Sequence, residues 1–156
     1  MKRDAFSLVE VTLALGIASL SLLAIFALLP VGLRTNQIAS EQSATIDLLS
    51  AVAADLRATP ATTPRGQATS SPRFAIEIPA NPVGSATTTT LFFTAKGQFS
   101  NAIDAHSRYR LTLTFVPNGA GSRTATFVDL KATWPAAASL ADAGGVAQMF
   151  VALDRN

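Results

Sequence analysis

Residues 5–33, AFSLVEVTLALGIASLSLLAIFALLPVGL, contain the run that decides the fold, because the rest of the chain must be arranged around a segment that water solvates poorly. From Val11 to Leu29 no side chain is charged. At about 1.5 Å of rise per residue, a helix over that run spans about 29 Å, close to the hydrocarbon thickness of a bilayer. It reads as a membrane helix. Glu10 is the exception at its N-terminal edge, directly after Leu8 and Val9. An ionised group held in lipid is unfavourable by at least about 2.5–3.5 kcal/mol, so a chain that keeps one there uses it. Two kinds of partner would relieve it: Lys2 or Arg3 folding back, or a positive charge on another copy of the chain.

Phe6-Ser7-Leu8-Val9-Glu10, after a very short basic leader and before an apolar helix, resembles the N-terminus of type IV prepilins, a superfamily that includes the pseudopilins of type II secretion. The resemblance implies that residues 1–5 are a leader, that a membrane aspartic prepilin peptidase cuts between Ala5 and Phe6, and that the new Phe6 amine is N-methylated. It also implies that Glu10 pairs with the Phe6 amine of a neighbouring subunit, which makes Phe6 and Glu10 the assembly residues. The family has Gly before the cut where this chain has Ala5, a departure that bears on the efficiency of cleavage. The end of the chain, with Ala132-Thr133-Trp134-Pro135 before a terminal strand, is most similar to minor pilins and minor pseudopilins. LLPVGL at 28–33 and VALDRN at 151–156 resemble the Verru_Chthon cassette protein B family, whose members carry the same methylation signal. The implied partners are other pilin or pseudopilin subunits, the prepilin peptidase and the inner membrane. A Lys-Arg start before an apolar helix also describes a signal anchor or a removable secretory signal. An ordinary signal has no need of Glu10, and residues 34–37 offer no A-x-A cleavage pattern.

Composition fits an envelope protein with one modest domain. Beyond residue 33 about 120 residues remain, enough for a single core. The formal charge of +2 falls to +1 once Lys2, Arg3 and Asp4 leave, which is not the balance of a polyanion binder. Cysteine is absent, so stability rests on packing and assembly rather than on disulfides. Lys2 and Arg3 precede the span and only Arg34 follows it closely, which places the N-terminus in the cytoplasm and the remainder outside the inner membrane.

Pro30 and Gly32 fall where the apolar run ends, and they read as a helix kink, with a helix stop as the alternative. Continuation is favoured because Ile38, Ile46, Leu49, Val52, Ala53 and Leu56 recur at helical spacing over 34–58. That face is expected to dock on a sheet, with Glu41, Asp47, Asp55 and Arg57 mostly outward. Residues 59–72 hold three prolines among Ala, Thr and Ser, the composition of a linker that forms neither a helix nor a central strand. Residues 73–156 read as an antiparallel sheet. Phe74, Ile76 and Ile78 alternate; Thr87 to Ala95 favours a strand; Tyr109, Leu111, Leu113 and Phe115 share one face of another. A turn signal at 118–121 joins that strand to Thr124–Trp134 as a hairpin, and Val146–Leu153 supplies the last strand.

Catalytic chemistry has little support. His106 is the sole histidine, and Asp104, Asp129, Asp142 and Asp154 lack the ligand spacing of zinc or EF-hand sites. Some pseudopilins hold calcium in a C-terminal loop, which Asp142 beside Gly144 and Gly145 resembles, but metal-site spacing is otherwise missing. No G-x-S-x-G elbow occurs. No enzyme activity, cofactor or small-molecule substrate is expected. Arg108, Arg110 and Arg123 read as a solvated strand face in preference to a DNA contact, because no aromatic residues join them as stacking platforms. The expectation is therefore an α+β pilin-like subunit: residues 6–33 a transmembrane and assembly helix, 34–58 its amphipathic extension, and an antiparallel sheet packed on that extension. Its expected role is structural, as a minor subunit of a type IV pilus-like or type II secretion-like filament. The alternative is a monomeric, single-pass, membrane-anchored ligand-binding module.

Overall fold

The computed structural model describes residues 7–119 and 125–155 of the 156-residue chain. Among the described residues, one helix, α1 (Leu8–Ala58), is followed by seven strands: β1 (Thr69–Ser70), β2 (Glu77–Ile78), β3 (Thr87–Thr94), β4 (Phe99–Ser100), β5 (Ser107–Val116), β6 (Thr126–Trp134) and β7 (Gly145–Leu153). The chain divides into two compact units, Met1–Ser40 and Glu41–Asn156.

In the first unit, the amides of Glu10 and Val11 donate to the Ser7 carbonyl, and this starts the helix. It remains helical across Pro30 and Gly32. Its apolar side chains are exposed all round, from Leu8 at 82 % through Phe26 at 66 % to Leu33 at 64 %. A helix apolar on every side belongs in a protein core or in lipid, and none of the apolar window is buried within this chain. The helix is long and apolar enough to cross a membrane. Four of its hydroxyls are satisfied within the helix: Thr12, Ser19, Ser21 and Thr35 donate to the carbonyls of Val9, Leu15, Ile17 and Val31 at 2.7–2.9 Å. That internal pairing is what a hydroxyl needs where no water is available.

The second unit is the helix-on-sheet layer pair expected of an α+β fold. From Thr45 onward α1 buries Thr45, Leu49, Val52, Ala53, Asp55 and Leu56, a stripe at helical spacing. Ile38 and Ile46, expected on that face, are instead 48 % and 45 % exposed. Leu49, Val52, Ala53 and Leu56 are buried as expected, and Thr45 rather than Ile46 extends the stripe by one turn. The Thr45 hydroxyl is buried harmlessly by donating to the Glu41 carbonyl at 2.7 Å.

The main sheet has the order β4-β3-β5-β6-β7, antiparallel throughout. Alternation puts Tyr109, Leu111, Leu113 and Phe115 of β5, and Val128, Leu130, Ala132 and Trp134 of β6, into the core beneath the helix. β5 and β6 pair from Arg110↔Thr133 to Val116↔Phe127, so the expected hairpin forms. Of its turn, Ala120 and Gly121 lie outside the described residues, as does Thr124.

Two details differ from the alternation in sequence. Phe74, Ile76 and Ile78 are all buried, yet only Glu77–Ile78 is a strand. Residues 71–76 close a tight loop in which Ser71 takes the amides of Ala75 and Ile76 on its carbonyl and hydroxyl, with Ala75 at φ 52°. Thr69–Ser70, within the linker, pairs with Ile78 and Glu77 in a separate two-stranded sheet.

Candidate membrane and assembly site

Glu10 stands in the first turn of α1. There the positive end of the helix dipole favours a carboxylate. Among the described residues it forms no ion pair. The leader residues 1–5, the cleavage position Ala5–Phe6 and the methylation position Phe6 lie outside the described residues, as do Lys2 and Arg3. At Pro30 the ring removes one amide donor from the helix ladder, and at Gly32 an added Cβ would meet no atom within 4 Å.

Among the described residues of the second unit, three charged side chains tie distant segments together, and only one of them had a signal in the sequence. The first is a hook on Glu41, the first residue of the unit. Its Oε1 accepts from Arg108 Nε at 3.0 Å and from Arg108 Nη2, and its Oε2 accepts from the Tyr109 hydroxyl at 2.7 Å. The hydrogen bond from Arg108 holds the Glu41 carboxyl below its usual range, and burial opposes this only in part. The same pair raises Arg108, while burial and then the Glu41 carboxylate push Tyr109 up to about 12. Glu41 was expected outward; it turns inward because the start of β5 brings a cation and a hydroxyl under it.

The second tie is Asp55, also expected outward and in fact 6 % exposed. Its two oxygens accept the backbone amides of Arg73 and Phe74, each at 3.1 Å, and so fix where the chain re-enters the core. An acid set in the stripe of Val52, Ala53 and Leu56 was the available signal. The third tie is Arg155, 4 % exposed, which donates to the carbonyls of Pro79, at 2.6 Å, and Gln67. It fastens the linker to the end of β7, and burial lowers its pKa.

The basic row of the sequence is divided in the structure. Arg108 is engaged by Glu41, Arg110 lies 5.9 Å from the centre of the Phe92 ring, and Arg123 lies outside the described residues. Asp142 accepts a hydrogen bond from the Ser139 hydroxyl, and among the described residues no group of three His, Cys, Asp or Glu side chains is placed to hold a metal ion. A shallow cleft of about 280 Å³ beside α1 is floored by Leu48, Phe74 and Phe93 and bordered by Asp47 and Arg73. No protein-family model, no curated protein and no solved structure matches the chain.

Proposed function

We propose that the chain is a structural, minor subunit of a type IV pilus-like or type II secretion-like filament, held in the inner membrane by the first half of α1 with its sheet domain on the outer side. One observation carries the reading. A single helix from Leu8 to Ala58 presents apolar side chains all round over its first half and a one-sided buried stripe over its second. A lipid anchor needs the first pattern and a domain scaffold the second. Phe6-Ser7-Leu8-Val9-Glu10 stands at its head. On this reading a prepilin peptidase removes residues 1–5, Phe6 is N-methylated, and Glu10 pairs with the Phe6 amine of the next subunit.

The test is mass spectrometry of the chain purified from membranes that also contain a prepilin peptidase active on a control pilin. The expected species begins at an N-methylated Phe6. An uncut chain, for both the wild type and Ala5→Gly, would overturn the filament reading and leave the monomeric membrane-anchored module.

A further inference from the structure

No further inference is drawn: the strongest candidate, the uncharged nine-residue edge strand β7 with Val146 and Phe150 exposed on its outer face, is an unpartnered apolar edge, and nothing in the structure shows what covers it.

Discussion

The Tyr109 hydroxyl donates to Glu41 Oε2 at 2.7 Å, joining β5 to the helix across 68 positions of sequence, and Arg108 closes the same carboxylate from its other oxygen. The hook stands one turn before Thr45, the first buried residue of α1. It therefore fixes the place at which the helix begins to be held by the sheet.

Glu41→Gln keeps the size of the side chain and removes the charge. Charged hydrogen bonds contribute about 1.5–3 kcal/mol. The Arg108 side chain is 39 % exposed, so solvent screening reduces the expected loss to about 1 kcal/mol, or about 4 °C in Tm for a domain of this size. The loss carries a pH signature. The folded-state pKa of Glu41 lies below its ordinary value of 4.5, so near that pH the unfolded chain binds more protons and stability rises with pH. The contribution is fully present above 4.5 and is lost as pH falls through the lowered folded value. Melting curves of the full chain in detergent at several pH values check this: wild type and Glu41→Gln should differ at neutral pH and converge in acid. A constant difference at every pH would assign the effect to packing.

Asp55→Ala removes the acceptor of two backbone amides. The Phe74 amide is buried and has no water to turn to, and an orphaned buried donor costs about 1–3 kcal/mol. With the Arg73 amide also released, the expected loss is about 2–4 kcal/mol. Asp55→Asn keeps one acceptor oxygen and should lose about half as much. Urea unfolding measures both, with an unchanged m-value expected because the surface exposed on unfolding is the same. A loss below about 0.5 kcal/mol for the Ala variant would mean that the loop closes without this carboxylate.

Gly145 pairs with Trp134 across β6 and β7, and a Cβ at 145 would overlap the Trp134 indole. Gly145→Ala therefore forces either the ring or the strand to move, with an expected destabilisation of about 1–3 kcal/mol. Trp134 is the only tryptophan and is 7 % exposed, so its fluorescence reports the displacement directly as a red shift. Val146→Ala, one position along on the exposed edge, should change neither stability nor emission. Unshifted emission from Gly145→Ala would show that the strand end adjusts without disturbing the ring.

The strands were legible wherever one face is wholly buried. Tyr109 to Phe115 and Val128 to Trp134 alternate without interruption, and a period of two has only one arrangement that hides all those side chains. The helix was legible in its existence and less so in its rotation, because Ile46 is more apolar than Thr45 and yet is the exposed one of the pair. The hydroxyl bond to the Glu41 carbonyl only makes burial of Thr45 harmless; the Glu41 hook on the sheet faces the same side, and it depends on partners far away in sequence. The short loop at 71–76 shows the same limit. Phe74, Ile76 and Ile78 read as a strand, but Asp55 claims the amides of residues 73 and 74, and Ser71 those of 75 and 76. Arg155 had no sequence signal at all, since its acceptors are carbonyls, which every residue carries.

Deleting residues 1–33 tests whether the sheet domain needs the apolar segment. The buried stripe of α1 starts at Thr45, and both the hook at Glu41 and the bonds that Asp55 accepts from the amides of Arg73 and Phe74 survive the deletion. The fragment should be soluble and monomeric, with far-ultraviolet circular dichroism of mixed helix and sheet and one cooperative melt. A disordered spectrum would show that the core forms only when the first half of the helix is held in lipid or by other subunits.

Glu10→Gln tests assembly and nothing else. The residue lies in the first turn of α1 among apolar side chains that include Leu8 at 82 % and Val9 at 72 % exposed. If Glu10 pairs with the Phe6 amine of the next subunit, the pair is favourable at one axial offset between helices and sets their register. The substitution keeps the shape and loses the charge, so membrane insertion and removal of residues 1–5 should survive. Removing one member of a buried ion pair weakens a contact by about 3–5 kcal/mol, and about 1.4 kcal/mol is already tenfold. The cross-linking yield with partner subunits in membranes should therefore fall by about tenfold or more. A monomeric anchor predicts no such fall, since it is indifferent to the charge or inserts more easily with a neutral side chain in place of a carboxylate. Equal yields from wild-type and Glu10→Gln chains that are both inserted and both cleaved would remove the charge from assembly and favour the anchored module.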